Sequence, residues 1–430
     1  MTKRKMKDSG VAWIGQVPEG WSVERLQWHI DEVNDKNNPI RYTNVLSLTN
    51  DRGVIPYEDK GAQGNKSKDN LAEYKIAYKN CIVANSMNIL IGSVGLSGYD
   101  GCVSPVYYVF RAKTGTDIGY LNYLFQLSQF QRELRRFANG ILEIRLRVSS
   151  EDIVKRTLVF PEESEQRKIA AFLDGECGKI DTLRGKVEKQ IAALEEYRKS
   201  AITEAVTKGI KRGRKMKVAD VAWIATAPQE WERTRLKLLC DRDITYGIVK
   251  LGDPDEDGVK VLRCSDVLAG RIAEGEIRTV MKSLSQEYSR TILRGGEVVV
   301  NVRGTLGGCA VVPEKMRGYN IAREVAMVAV KGNAADARFI MYQLLSSSFD
   351  SYIKMQLSGA VYVGLNIEML GKYSFFCPDL SEQREIAAYL DKKCAAIDSM
   401  VAKCREELDR LAEYKKSLIY EYVTGKKEVA

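Results

Sequence analysis

Apolar residues recur at steps of three and four in two stretches of the chain, which predicts two long helices with one apolar stripe each. The first stripe is Ile169, Leu173, Cys177, Ile180, Val187, Ile191 and Leu194, and the second is Ile386, Leu390, Cys394, Ile397, Val401, Cys404, Leu408 and Leu411. About 40 residues of helix measure about 60 Å, too long to be covered by one small domain. We therefore expect the two helices to lie antiparallel and to pack together as a coiled coil.

The start of each long helix also has a pattern. Ser164 precedes the first stripe and Ser381 the second, and each is followed by a glutamate, Glu165 or Glu382. A serine hydroxyl can accept a hydrogen bond from the free amides at a helix start, and an acidic side chain in the first turn suits the helix dipole. We therefore expect the two serines to be the N-caps.

The segments before the helices carry short runs of β-branched and aromatic residues separated by glycine-rich turns, for example residues 106–110 and 325–330. Such runs predict strands. Each segment then continues into a helical stretch, residues 120–137 or 337–357, and a glycine-containing loop. The predicted fold is α+β, with two mixed α/β domains joined by two long antiparallel helices.

The chain is an internal repeat. Val11-Ala-Trp13-Ile14 and Pro18-Glu-Gly-Trp21 recur as Val221-Ala-Trp223-Ile224 and Pro228-Gln-Glu-Trp231, and Ser164-Glu-Gln-Arg-Lys-Ile-Ala-Ala-Phe-Leu-Asp174 recurs as Ser381-Glu-Gln-Arg-Glu-Ile-Ala-Ala-Tyr-Leu-Asp391. Much less similar segments of about 140 residues lie between these blocks. The repeat predicts a pseudo-twofold molecule. We divide it into a first domain (1–160), a first helix (161–210) with a linker to 217, a second domain (218–377) and a second helix (378–430).

Composition limits the class of protein. The 430 residues include 66 Lys and Arg against 57 Asp and Glu, for a net charge of +9, and 45 % are apolar. This length and apolar content predict two or more domains, each with a hydrophobic core. No stretch of about 18 uncharged apolar residues is present, so we expect a cytoplasmic protein with no membrane contact. Nine scattered cysteines and the single His29 argue against a disulfide framework or a zinc site, and we expect His29 to be structural.

Motifs of catalysis are missing. The nearest match to a phosphate-binding loop, residues 61–67, lacks the required spacing, and no glycine-rich cofactor loop follows a strand. We therefore expect no catalytic residue, metal or cofactor in this chain.

Loop side chains supply candidates for DNA contacts. Arginine and asparagine can pair with guanine and adenine edges, whereas lysines more often hold phosphates. Each such residue could equally be an ordinary solvated side chain. The candidates are Arg52, Lys60, Lys66, Lys68, Asn139, Arg145 and Arg147 in the first domain, and Arg263, Arg271, Arg303, Arg317, Arg323, Tyr362 and Asn366 in the second.

Two divergent segments, each opened by Pro-x-x-Trp and closed by Ser-Glu-Gln-Arg-x-Ile-Ala-Ala-x-Leu-Asp, resemble the specificity subunit of type I restriction–modification enzymes. The resemblance covers nearly the whole chain. It implies two target recognition domains, each specific for one half of a split, asymmetric sequence in double-stranded DNA. It further implies that the long helices act as a ruler for the gap between the halves.

The resemblance also implies partners. In the family, two methyltransferase subunits dock on this scaffold and bring S-adenosylmethionine chemistry, and restriction subunits add ATP- and Mg-dependent translocation and cleavage. Candidate docking residues are Tyr197, Tyr414, Leu418 and Tyr422, which could instead cap the ends of the helices. Three alternatives remain: a protein-only coiled-coil scaffold, a recognition module of a stand-alone methyltransferase system, and a self-sufficient enzyme.

Overall fold

The computed structural model describes residues 4–49, 52–60, 70–139, 146–357 and 364–429. Contacts divide the chain into two units. One unit holds the residues up to Val187 together with those from Glu406 onward, and the other holds Glu188–Arg405. Each unit therefore combines one mixed domain with part of both long helices.

The first domain and the helix that follows it contain short strands and a few helices. These are β1 (Met6–Asp8), β2 (Gln16–Pro18), β3 (Ser22–Arg25), β4 (Ile30–Glu32), β5 (Leu46–Thr49), β6 (Gly53–Pro56), β7 (Lys75–Ala77), β8 (Ile82–Asn85), β9 (Val94–Leu96), β10 (Gly101–Val103), β11 (Tyr107–Ala112), α1 (Ile118–Gln126), α2 (Ser128–Arg135), α3 (Ser150–Val154), β12 (Thr157–Phe160) and α4 (Glu163–Lys208).

The core of the first domain forms around an antiparallel sheet of order β4-β11-β8-β9. Val83 of β8 pairs with Val109 of β11, and both are fully buried, as a run of apolar residues on a central strand predicts. Strand β12 pairs with β3, with Val159 opposite Val23. The chain thus returns beside its start immediately before entering α4.

The second domain and its helix follow the same order with additional short strands. The elements are β13 (Met216–Val221), β14 (Ile224–Pro228), β15 (Glu232–Arg235), β16 (Thr245–Tyr246), β17 (Val259–Leu262), β18 (Val267–Leu268), β19 (Arg271–Ile272), β20 (Thr279–Val280), α5 (Lys282–Glu287), β21 (Val298–Asn301), β22 (Cys309–Val311), β23 (Asn320–Ile321), β24 (Val325–Val328), α6 (Ala337–Leu344), α7 (Ser347–Leu357), α8 (Ile367–Lys372), β25 (Ser374–Cys377) and α9 (Leu380–Val423).

The sheet β16-β24-β21-β22 is the counterpart of the first sheet, with Val299 of β21 opposite Met327 of β24. Strands β15 and β25 pair as β3 and β12 do. A parallel pair, β17 and β23, has no counterpart among the described strands of the first domain. The predicted α+β class with two long helices is confirmed, and the divergence between the domains lies mainly in the strands and loops outside the shared sheet.

Within each unit the two long helices run antiparallel. In the first unit Lys415 of α9 contacts Asp181 of α4 at 2.7 Å, and Tyr422 packs on Phe172. In the second unit Arg198 of α4 lies 3.4 Å from Asp398 of α9.

Most positions of the two stripes are buried, and each stripe also contributes to a domain core. The beginning of each stripe joins the core of its own domain: Ile169 and Leu173 in the first unit, Ile386 and Leu390 in the second. Along the rest of the stripes, Ile180, Val187, Ile397 and Val401 are buried, whereas Ile191, Leu194, Leu408 and Leu411 are only half-buried. Each stripe therefore packs on a domain where it begins and stays buried over most of its length.

The predicted N-caps are wrong. Both serines lie inside the helices, which begin at Glu163 and Leu380. At the second helix the capping role falls to Asp379, whose Oδ1 accepts a hydrogen bond from the Glu382 amide at 2.9 Å. An aspartate two positions earlier caps this helix equally well, so the serine is not required.

Candidate nucleic-acid interface

The repeated glutamate of each long helix joins the helix to its domain. In the first unit Glu165 accepts hydrogen bonds from Arg4 at 2.7 Å and from the Trp21 indole at 3.2 Å. In the second unit Glu382 accepts from Arg214 at 2.5 Å and from the Trp231 indole at 3.2 Å. The hydrogen bond to the carboxylate raises the pKa of each arginine.

The next repeated residue, a glutamine, is almost fully buried in both units. Gln166 accepts from the Asp117 amide at 2.8 Å and donates to the Pro161 carbonyl at 2.8 Å. Gln383 makes the equivalent bonds to Asp336 and Pro378, both at 2.9 Å. Because the two aspartates are the N-caps of α1 and α6, each glutamine fixes a domain helix to a long helix.

The last residue of the repeated motif is an aspartate that accepts a hydrogen bond from a domain tyrosine. Tyr123 donates to Asp174 at 2.7 Å, and Tyr342 donates to Asp391 at 2.8 Å. The repeated motif is therefore a joint, formed in the same way twice. The divergent loops lie outside this joint, where they can change without disturbing it.

The loop after the central strand is connected to the loop that precedes the last strand in both domains. In the first domain the Val148 amide donates to the Ser86 carbonyl at 3.2 Å, and in the second the Leu365 amide donates to the Val302 carbonyl at 2.8 Å. Val148 and Leu365 are buried in their cores. We call this the loop junction of each domain.

Each loop junction carries one of the predicted arginines. In the first domain it is Arg147, which precedes Val148 and whose Nη2 lies 3.7 Å from the Met87 sulfur. In the second it is Arg303, on the opposite loop, and a Cβ on Gly364 would lie 3.7 Å from its Cγ. The two domains thus place an exposed guanidinium at the same junction from different segments.

Other predicted residues of the second domain surround its junction. The Arg303 guanidinium lies 5.6 Å from the centre of the Tyr246 ring, and the Tyr246 hydroxyl accepts from the Ile367 amide. Exposed Arg323 donates from its backbone to the Ile248 carbonyl at 2.9 Å, two residues after Tyr246. Arg263 lies on the adjoining loop, bound to Asp266.

Asn366 is also close, and its side chain caps a helix. Its Oδ1 accepts from the Met369 amide at 2.7 Å and caps α8. A paired contact with adenine uses both the amide oxygen and the amide nitrogen, and this oxygen already accepts one hydrogen bond within the chain. Asn366 therefore has a structural role as a helix cap, and its contact with DNA stays a prediction.

The remaining predicted residues of the second domain lie away from the loop junction. Arg317 pairs with Glu314 at 2.8 Å on a separate turn. Arg271 is exposed on the β18–β19 hairpin, where the Ala269 carbonyl accepts from Arg198 of α4 at 3.4 Å. The structure does not bring either of them to the arginines of the junction.

In the first domain, Asn139 and Arg147 form an isolated backbone bridge, with N–O distances of 2.8 and 2.9 Å. Arg52 donates to the Asp59 carbonyl at 3.1 Å, and the Lys60 ammonium lies 5.6 Å from the centre of the Tyr57 ring. Four predicted residues, Lys66, Lys68, Arg145 and Tyr362, lie outside the described residues.

The predicted docking residues separate into two groups. Tyr197 and Tyr414, which are repeat equivalents, are 51 % and 56 % exposed. Leu418 is only 5 % exposed and belongs to the core of the first unit, so its place on a docking face is wrong. It packs in that core because burial of an apolar side chain is favourable. Tyr422 is half-buried against Phe172, with ring centres 4.5 Å apart.

The described parts of the chain contain neither a metal-binding cluster nor a disulfide. No group of three His, Cys, Asp or Glu side chains there is placed to hold a metal ion. All nine cysteines are unpaired, and burial raises the pKa of several, Cys240 to about 11. Every helix that the structure describes is too short or too polar to cross a membrane.

Sequence reasoning missed the residues that hold the arginines. Asp266 follows Arg263 by three positions, and Tyr246 precedes Arg303 by more than fifty. An acid three residues from an arginine is a weak signal that could have been noticed. Nothing in the sequence indicates the contact with Tyr246, because it depends on the pairing of β16 beside β24.

Fold and site together define a class: a two-domain repeat protein that presents exposed arginines from divergent loops and joins each domain to long helices through a repeated motif. Residues 228–409 match the family model of the type I restriction modification DNA specificity domain. The resemblance seen in the sequence is confirmed.

Two relatives and one solved structure extend the match. The chain is 25 % identical over 426 residues to the type I restriction enzyme MjaVIII specificity subunit of Methanocaldococcus jannaschii, covering 96 % of this chain and 94 % of that one. It is 24 % identical over 284 residues to the EcoBI specificity subunit of Escherichia coli, covering 65 % of this chain and 60 % of that subunit. The fold is shared with a chain of a solved structure on the complex assembly and conformational transition of the type I R-M system. The TM-score is 0.70 at 17 % identity, and the match covers 96 % of this chain and 99 % of the other.

Proposed function

We propose that this chain is the DNA-recognition subunit of a type I restriction–modification complex, and that each domain recognises one half of a split DNA target. The observation that carries the proposal is the pair of loop junctions, where Arg147 and Arg303 are exposed at equivalent places. An arginine can donate two hydrogen bonds to a guanine edge or bind a phosphate. The two arginines occupy equivalent positions but come from different loops, as expected of two domains that recognise different sequences.

The long helices support the bipartite part of the proposal. They have 46 and 44 residues, which corresponds to lengths of about 69 and 66 Å. The helical backbone is stiff and each domain is fixed to it by the repeated joint. We propose that the helices set the length of the unspecified gap in the target.

The catalytic chemistry belongs to partners in this proposal, and the chain itself is non-catalytic. Two methyltransferase subunits would bring S-adenosylmethionine, and restriction subunits would bring ATP and Mg. Tyr197 and Tyr414 support two equivalent docking places, since they lie 217 residues apart at the same repeat position and both are exposed. We further propose a cytoplasmic location, where such partners meet DNA.

Selection from a pool of DNA with random bases tests the proposal. The chain, purified together with its methyltransferase partner, is expected to enrich two short sequence blocks separated by a fixed gap. Arg147→Ala is expected to relax one block only, and Arg303→Ala the other, with a loss of about 5- to 100-fold on the preferred sequence. Arg317→Ala is the matched control, because its guanidinium is already paired with Glu314 away from the junction.

The alternatives predict different selections. A protein-only coiled-coil scaffold would enrich no sequence. A recognition module of a stand-alone methyltransferase system would enrich the same kind of target and modify it without any restriction subunit. If both arginine variants weaken binding to every DNA equally, the two residues contact phosphates and not bases.

A further inference from the structure

Arg263 is held by three hydrogen bonds to a single carboxylate, that of Asp266. Its Nε and Nη2 each lie 3.2 Å from a carboxylate oxygen of Asp266, and its own amide donates to Asp266 Oδ2 at 2.9 Å. Asp266 is only 7 % exposed, and the Ser265 hydroxyl donates to it at 3.1 Å. The hydrogen bond to the carboxylate raises the pKa of Arg263, so the guanidinium stays charged.

The geometry leaves one edge of the guanidinium available. A guanidinium has five N–H donors, and the carboxylate occupies the side formed by Nε and Nη2. Nη1 makes no hydrogen bond to any residue that the structure describes, and the Arg263 side chain is 35 % exposed. The remaining donors, on Nη1 and the outer side of Nη2, form a pair with the spacing that guanine N7 and O6 accept.

The loop that carries Arg263 is fixed to the loop that carries Arg303. Asn301, which is 3 % exposed, donates from Nδ2 to the carbonyls of Cys264 at 2.9 Å and Thr305 at 3.1 Å. A Cβ on Gly304 would lie 3.2 Å from the Cys264 sulfur, so the two loops are in close contact. Arg263 therefore belongs to the same face of the second domain as the loop junction.

Holding an arginine in advance matters for specificity. A free arginine loses rotamer entropy on binding, and it can turn equally well to a phosphate. A buried carboxylate removes that freedom and directs one edge of the guanidinium outward. Among the described residues, by contrast, the Arg303 guanidinium faces the Tyr246 ring without a carboxylate partner, and the Arg323 side chain makes no hydrogen bond.

We propose that Arg263, positioned by Asp266, donates paired hydrogen bonds to N7 and O6 of one guanine in the half-target of the second domain. This inference rests on the proposed function and makes it more specific: the second half-target contains a guanine on one strand, and this residue determines it.

Base analogues test the assignment in the complex with the methyltransferase partner. Once selection has given the half-target, each of its guanines is replaced in turn by 7-deazaguanine, which still pairs with cytosine but lacks the N7 acceptor. The unaltered protein is expected to lose about 10-fold in affinity at one guanine. Arg263→Ala is expected to lose a similar factor on natural DNA and then to show no further loss, within about 2-fold, at that same guanine.

Two further variants separate positioning from folding. Arg263→Lys is expected not to restore the preference, because an ammonium cannot form the paired contact. Asp266→Asn is expected to reduce sensitivity to the analogue while overall binding to DNA remains. Arg317→Ala, the control, is expected to keep the full response at the same guanine.

The assignment is overturned if 7-deazaguanine weakens the binding of Arg263→Ala as much as it weakens the binding of the unaltered protein, at every guanine tested. The arginine then acts elsewhere, for example on a phosphate. It is also overturned if the half-target contains no guanine on either strand. A different result, in which the unaltered complex shows no sequence preference at all, contradicts the proposed function itself.

Discussion

At the scale of single residues, the polar residues of the repeated motif form the joint between a long helix and its domain. Gln166 and Gln383 are each 1 % exposed, and each satisfies the amide of a helix N-cap residue and the carbonyl of a buried proline. Leaving such groups unpaired costs more than the hydrogen bonds themselves contribute, because the desolvation is not recovered.

The first prediction follows from that burial. Gln383→Ala is expected to lower the free energy of unfolding by about 1–3 kcal/mol, since the Asp336 amide and the Pro378 carbonyl lose their partner. The measurement is urea unfolding followed by circular dichroism. Gln190→Ala, on the exposed face of α4, is the matched control and is expected to change stability by less than about 0.5 kcal/mol. Equal effects of the two variants would show that the joint is not stabilising.

His29 gives a prediction about pH. Burial, with the ring stacked 3.3 Å from Phe160, lowers the pKa of His29 from its usual 6.5 despite the neighbouring Glu24. Below pH 6.5 the unfolded chain therefore binds a proton more readily than the folded chain, and stability falls as the pH falls.

The melting temperature is accordingly expected to fall between pH 7.5 and pH 5.5, and to fall less in His29→Gln than in the unaltered protein. Because His29 is the only histidine, the difference between the two falls isolates its contribution. An equal or larger fall in His29→Gln would contradict the assignment of a lowered pKa.

At the scale of elements, apolar periodicity was sufficient to predict the two long helices but not what they pack against. Leu390 lies on the predicted stripe, yet its partners are core residues of the second domain, which only long-range contacts reveal. The helical stretches predicted for residues 120–137 and 337–357 are each two helices. The breaks fall at Leu127 and at residues 345–346, where tertiary packing overrides local helix preference.

The position of a leucine along α9 therefore predicts the cost of removing it. Leu390→Ala is expected to cost about 2–5 kcal/mol, because the residue is fully buried in the core of the second unit. Leu408→Ala, at a half-buried position of the same stripe, is expected to cost clearly less. Hydrogen exchange should show faster exchange in residues 337–357 for the first variant only. Faster exchange there in both variants would favour the coiled-coil seam predicted from sequence.

At the scale of the whole molecule, the sequence was sufficient for the repeat, the α+β class and the family resemblance, because these depend on spacing and on long matching blocks. The candidate site could be predicted only in part. Arginine in a loop is recognisable, and three of those predicted, Arg263, Arg303 and Arg323, are close together in the second domain. The sequence could not predict which side-chain atoms remain available for DNA, because it does not show that Asn366 caps a helix or that Asp266 is a buried partner of Arg263.

The net charge of +9 adds little to this account, because a broad positive charge favours any DNA. What distinguishes the molecule is the repetition of one joint beneath two different sets of loops. That arrangement allows specificity to change while the scaffold stays the same, and it predicts that each domain acts on its own half of the target.

The most direct test of the account is a base-resolution map of adenine methylation in a host that carries this chain and its methyltransferase partner, compared with the same host lacking only this chain. The account predicts that methylation at one split motif with a fixed gap disappears in the second host. Identical maps in the two hosts, under conditions where the methyltransferase is produced, would contradict the claim that this chain directs the enzyme to its target.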